Sequence, residues 1–163
     1  MPKSGKQGWL MKAMHVFSAR NQLLQVAALP WRVRDGAVEI CMVTSRGTGR
    51  WILPKGWPEK KLTHAEAAAR EAFEEAGLRG TISPRACGSF IAAKGVEPGL
   101  ELSVRLEVFL LKDPEQLGKY PEKGERKVQW MPLAEAIDKA SEPGLKKLIS
   151  QLDLEGAFRA APK

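Results

Sequence analysis

At 163 residues, with 44% hydrophobic and 28% charged positions, the chain can bury one core but not two comfortable ones, and its composition excludes disordered and collagen-like classes. Two cysteines, Cys41 and Cys87, with no CxxC spacing and no histidine cluster, exclude a disulfide framework and a zinc site and point to a reducing, cytoplasmic setting. The net charge of +7 gathers at the amino end, where residues 1–34 hold Lys3, Lys6, Lys12, Arg20, Arg32 and Arg34 and no acid.

Residues 1–20 read as a basic, flexible tail, with an anion-attracting arm as the alternative, 21–155 as a single domain and 156–163 as a carboxy-terminal tail. Lys12 interrupts the first apolar stretch, so neither a secretory core nor a membrane span is expected. "NQLLQVAALPWRV" reads as a buried strand, and "AVEICMVTSR" as its antiparallel partner across the turn Arg34 to Gly36. The loop "GTGRWILPKGWPEKK" follows, broken only by the apolar run Trp51 to Leu53. Thr63 and Glu66 have the spacing of a capping box and Gly77 that of a C-cap, which predicts a helix of about three and a half turns between them. Ala65, Ala68, Ala69, Ala72 and Ala76 form a small-residue face for close approach to a sheet, with Phe73 as its bulky anchor. Strands are expected within "RGTISPRACGSFIAAK" and over "LELSVRLEVFLLK", then turns over 113–125, a short strand "RKVQWM", and helices at "PLAEAIDKA" and "GLKKLISQL". The pattern is α+β, with helices on both faces of a mixed sheet.

Glu71, Glu74 and Glu75 stand at i, i+3 and i+4 and leave that helix within one sector. Two unit charges about 6 Å apart repel by roughly 3 kcal/mol at an effective dielectric of 20. Such a cluster either faces water or holds a hard divalent cation, for which carboxylate oxygens are the fitting donors.

Gly56, Arg70-Glu71, Glu74-Glu75, Gly77 and Leu78 stand in the spacing G-x5-E-x7-R-E-U-x-E-E-x-G-U, where U is apolar, and the segment resembles the Nudix box. The departure is Leu62, where the pattern has glutamate. In the family that glutamate pairs with the motif arginine; Glu66, one turn before Arg70, is the expected substitute, and service in the capping box alone is its alternative. The flanks "TSRGTGRWILPKGWPEK" and "GERKVQWMPLAEAI" resemble the diphosphoinositol and diadenosine polyphosphate branch in its short bacterial form, with coverage from Gln22 to Ile149.

The resemblance implies a Nudix α/β/α sandwich and Mg²⁺- or Mn²⁺-dependent cleavage of a phosphoanhydride. It assigns Glu71 and Glu75 as principal metal ligands, Glu74 as a further ligand or an orienter of water, the Lys55 carbonyl as another ligand, and Arg70 to the catalytic set. One carboxylate serves as general base, with Glu122 and Glu125 as candidates outside the motif. Arg46, Arg50 and Lys55 are the expected phosphate partners, and Lys94 and Arg126 are weaker ones. Trp51 and Trp57 either stack a base or pack the core. The first strand offers Leu23 and Gln25 where inositol-specific members project basic side chains, which ranks dinucleoside polyphosphates first. Diphosphoinositols, nucleoside triphosphates, ADP-ribose and RNA 5′-triphosphate are the alternatives, as is an inactive Nudix domain kept as a binding module. The basic arm suits RNA, yet no RNA-binding module accompanies it. A polyphosphate-containing small molecule is thus the expected partner, and no membrane is; the oligomeric state is left open.

Overall fold

The computed structural model describes residues 23–97 and 100–159, so the expected tail over 1–20 lies outside the described residues. Strand β1 (Leu23–Arg34) and strand β2 (Ala37–Thr44) form the expected hairpin, with Arg34 opposite Ala37. Asp35 and Gly36, at φ 51° and 78°, supply the two left-handed residues that a two-residue turn of matching twist requires. Two short strands follow, β3 (Trp51–Ile52) on β2 and β4 (Lys55–Gly56) on β1. The chain then enters helix α1 (His64–Ala76).

Strands β5 (Leu78–Ile82), β6 (Gly88–Glu97) and β7 (Leu100–Gln116) come next, then β8 (Val128–Pro132), helix α2 (Leu133–Lys139) and helix α3 (Pro143–Leu154). The sheet runs β3-β2-β1-β7-β5, with β4 on β1, β6 on β7 and β8 on β2; among the described strands β1 and β7 pair in parallel and the other pairs are antiparallel, so it is mixed. β7 outruns its expected end at Lys112. β5 supplies the reason, because Leu78 and Arg79 pair with Gln116 and Glu115 and carry the strand past the left-handed Asp113.

β1 is central and buried on both faces, which is why it reads as a nearly unbroken apolar run. Leu23, Ala27, Leu29 and Trp31 face one core with Leu145, Leu148, Ile149 and Leu152 of α3 and Ala136 of α2. Val26 and Ala28 face the other, beneath α1. The α1 side of that core is alanine throughout: Ala65, Ala67, Ala68, Ala72 and Ala76, with Ala67 taking the place expected of Ala69. Phe73 is not the anchor. It is half-buried at the helix edge with the Arg79 guanidinium 5.0 Å over its ring, because a large ring would hold the helix away from the sheet. Phe158, in the stretch read as a carboxy-terminal tail, is buried edge-on against Trp31 at 5.4 Å, so the core extends past residue 155. Among the described residues no helix is long and apolar enough to cross a membrane.

Candidate active site

Helix α1 is held at both ends by its own sequence. Thr63 Oγ1 accepts from the Glu66 N–H at 3.1 Å, Glu66 Oε2 accepts from the Thr63 N–H at 2.7 Å, and Gly77 closes the helix at φ 67°. With Ala72 and Ala76 turned to the sheet, Glu71 and Glu75 face strand β4. Gly56 makes room for Glu71: a Cβ there would overlap the Glu71 carboxylate. The Lys55 N–H donates to Glu75 Oε2 at 3.3 Å. Glu75 is 5% exposed, and burial pushes its carboxyl up to about 7 against the pull of Arg126. Burial, followed by the Glu75 and Glu74 charges, pushes the Glu71 carboxyl up to about 8.

Glu74 turns from this pair to Arg70, whose Nε donates to Glu74 Oε1 at 2.8 Å while Nη1 donates to Glu59 Oε2 at 2.9 Å. Glu66 makes no contact with Arg70 and spends its carboxylate on the helix cap, which corrects the expectation that it replaces the motif glutamate. The carboxylate from the loop is Glu59, three residues after Gly56 instead of six. Leu62 turns inward and packs on the α1-side core.

The loop before β8 supplies the next layer. Arg46 pairs with Glu122, and with Glu125 at 3.2 Å, so its charge is engaged by the two carboxylates named as outside base candidates. Arg126 is nearly buried and stands 3.4 Å from Glu75 Oε1 and 3.3 Å from Glu122 Oε1. Arg50 folds back on its own loop, donating Nε to Thr48 Oγ1 at 3.3 Å. The Lys55 ammonium crosses to the other face of the sheet and donates to Glu142 Oε2 at 3.4 Å. There the Lys94 ammonium stands 5.0 Å over the Trp57 ring, its pKa lowered by burial and then by Lys55. Trp51 and Trp57 both pack against the core on this side, and the Trp51 carbonyl accepts from Ser141 at 3.0 Å.

The structure thus brings Glu71, Glu75, Lys55 and Gly56 together, keeps Glu74 with Arg70 beside them, and sets Arg46, Arg126 and Glu122 along one rim. Arg50 stands apart. Reading the motif in register missed Glu59, and Glu142 carries no local signal, since it reaches Lys55 only through the tertiary fold. The oxygen donors suit a hard divalent ion, and burial, the main cause of the upward shifts of Glu71 and Glu75, leaves their negative charge poorly solvated. Among the described residues, no three His, Cys, Asp or Glu side chains form a group that could hold a metal; Glu74 is paired with Arg70 and Glu75 with Arg126. Cys41, buried, and Cys87, half-buried, are free thiols whose pKa burial pushes up to about 12 and about 11, which disfavours the thiolate near neutral pH.

Residues 23–152 match the family model described as NUDIX domain. The chain is 33% identical over 104 residues to Nudix hydrolase 12, mitochondrial, of Arabidopsis thaliana, covering 62% of this chain and 51% of that protein. It is 30% identical over 111 residues to Nudix hydrolase 16, mitochondrial, of the same plant, covering 67% of this chain and 62% of that protein. The chain therefore spans little more than half the length of the curated relatives it matches. Among solved structures, a C. elegans Ap4A hydrolase binary complex superposes with a TM-score of 0.63 at 21% identity, over 84% of this chain and 99% of that one. The NUDIX domain of Shewanella oneidensis NrtR complexed with ADP ribose superposes with a TM-score of 0.62 at 16% identity, over 87% and 97%. At these identities the structural likeness speaks for the fold.

Proposed function

The chain belongs to the NUDIX domain family, and from that premise we propose that it is a metal-dependent pyrophosphohydrolase acting on a nucleoside polyphosphate, with a dinucleoside polyphosphate as its foremost substrate. The observation that carries the reading is the seating of Glu71 against Gly56 and of Glu75 on the Lys55 N–H, which sets a half-buried and a buried carboxylate, both with raised pKa, beside strand β4.

Glu71 and Glu75, with Glu74 and the Lys55 carbonyl, would hold Mg²⁺ or Mn²⁺, which when bound neutralises phosphate charge and activates water. The protein's own contributions are then positional. Arg70 orients Glu74 and ties α1 to the β4–α1 loop through Glu59. Arg46, in a half-exposed pair with Glu122 and Glu125, can exchange those carboxylates for phosphate, while Lys55 and Lys94 offer ammonium groups on the opposite face of the sheet. Which carboxylate takes the proton from water is the choice among Glu71, Glu74, Glu75, Glu122 and Glu125. The preference for a dinucleoside over an inositol substrate is supported by β1, where Leu23 and Gln25 are both buried and uncharged. A cytoplasmic site of action belongs to the same proposal.

The test is a panel of dinucleoside polyphosphates, diphosphoinositols, nucleoside triphosphates, ADP-ribose and 5′-triphosphorylated RNA, with Mg²⁺ or Mn²⁺, at two salt concentrations. Turnover of a dinucleoside polyphosphate that is lost in Glu75→Gln is expected. No metal-dependent turnover of any member would overturn the enzymatic reading and favour a binding module.

A further inference from the structure

The loop between β7 and β8 is fastened to the carboxy-terminal end of α1. The Glu122 N–H donates to the Glu74 carbonyl at 2.9 Å, the Leu117 N–H to the Gly77 carbonyl at 2.8 Å, and Gln116 Nε2 to the Ala76 carbonyl at 2.7 Å. Its far end is tied to β2, where the Lys127 N–H donates to Thr44 Oγ1 at 2.9 Å. Between these anchors lies Arg126, whose side chain is only 10% exposed. Nη1 donates to the Thr44 carbonyl at 3.2 Å, Nη2 lies between Glu75 Oε1 and Glu122 Oε1, and Nε is buried without a partner.

A guanidinium so enclosed, with one N–H unpaired, is costly in solvation and is held there by the charges beside it. Those charges are the acids of the candidate metal centre. Phosphate binding accounts poorly for this placement, since the unpaired Nε is sealed from solvent and the other nitrogens are engaged within the protein.

We propose that Arg126 is a positioning residue that acts as a resident counter-ion: it draws Glu75 and Glu122 together in the metal-free chain and opposes the divalent ion electrostatically for Glu75. The proposal rests on the reading of Glu75 as a metal ligand. It makes a signed statement about metal affinity that other roles for Arg126 do not. Structural glue, when removed, loosens the site and weakens metal binding; a phosphate contact, when removed, raises KM and leaves the bare ion untouched. A counter-ion, when removed, leaves the site one positive charge poorer, so at a pH where the carboxylates are ionised the ion binds more tightly.

Mn²⁺ binding to the full chain, measured by calorimetry without any phosphate compound, tests the sign. Arg126→Gln and Arg126→Met are expected to bind Mn²⁺ roughly 10-fold more tightly than the parent, on the scale of one screened unit charge nearby. Arg126→Lys, which keeps the charge, should stay close to the parent. The neutral variants should also melt earlier than the parent in chelator and gain more from added Mn²⁺. Equal or weaker Mn²⁺ binding in a folded neutral variant overturns the proposal. So does failure of both neutral variants to fold with Mn²⁺ present, since the ion should replace the missing positive charge. Glu75→Gln separates the two readings. Unchanged Mn²⁺ binding there removes the ligand assignment itself, whereas binding lost in Glu75→Gln but not tightened in the neutral variants removes only the role given to Arg126.

Discussion

Glu71 and Glu75 hold protons that an exposed glutamate would surrender, with carboxyls at about 8 and about 7 against an ordinary value of 4.5. A folded-state pKa above the unfolded one means that the native chain binds more protons. The contribution to stability is therefore full below about pH 4.5 and is lost as pH rises through 7 to 8. The Arg126 and Lys55 charges facing Glu75 soften this loss, and Glu122 deepens it. Metal-free protein should accordingly melt at a lower temperature at pH 8.5 than at pH 6, and Mg²⁺ should reduce the difference by supplying positive charge in place of protons. A chelator-treated chain whose melting temperature is flat or rising over that range would contradict the assignment. Glu59 and Glu66 provide a second contrast at this scale, because both lie near Arg70 and only one touches it. Glu66→Ala breaks the capping box and should cost about 0.3–1.5 kcal/mol in denaturant titration with turnover retained. Glu59→Gln removes an exposed, solvent-screened pair but frees the arginine that orients Glu74, so turnover should fall by roughly 10-fold with stability nearly unchanged.

Two glycines at either end of the β4–α1 unit serve different ends. At Gly77 the backbone is left-handed at φ 67° and the Tyr120 ring lies where a Cβ would be, so Gly77→Ala should cost at least about 1–2 kcal/mol of fold stability. At Gly56 the obstacle is the far end of a flexible side chain, the Glu71 carboxylate. Gly56→Ala should leave the melting temperature nearly unchanged and weaken Mn²⁺ binding by roughly 10-fold, because Glu71 is displaced; calorimetry beside a thermal melt separates the two glycines. α1 and the β1–β2 hairpin were legible in the sequence because their signals are local: Thr63 with Glu66, Gly77, and Asp35 with Gly36 lie within a few residues of the structure they dictate. The end of β7 was not, because β5 decides it, and the exile of Phe73 was not, because α1 approaches a sheet whose position the helix pattern does not contain.

Across the whole molecule, the candidate site straddles the sheet, and Lys55 is the residue that crosses it. Its N–H meets Glu75 on the α1 side, and its ammonium meets Glu142, at the start of α3, on the other. Motif spacing made the α1 side readable. It could not show Glu142, nor that Arg126 sits beside Glu75, since both depend on where β8, α2 and α3 return to the sheet. Glu142 does not cap its own helix; one carboxylate oxygen is buried without a partner and the other is given to Lys55. Such a half-satisfied acid is retained for the charge it places, and here that charge fixes the direction of the lysine. Glu142→Gln should lower stability by about 1–3 kcal/mol, the cost of weakening a charged hydrogen bond between two largely enclosed groups. Released from Glu142, the ammonium has no fixed direction, so KM for a polyphosphate should rise. Mn²⁺ affinity without substrate should change far less than KM, because the hydrogen bond to Glu75 is made by the backbone of Lys55, which β4 pairing with Val26 and Ala27 holds in place, and only the weaker reach of the ammonium charge is altered. Loss of metal affinity in this variant would mean that the two layers are coupled through more than the backbone of Lys55, and the separation of metal holding from the lysine's part in substrate binding would fail.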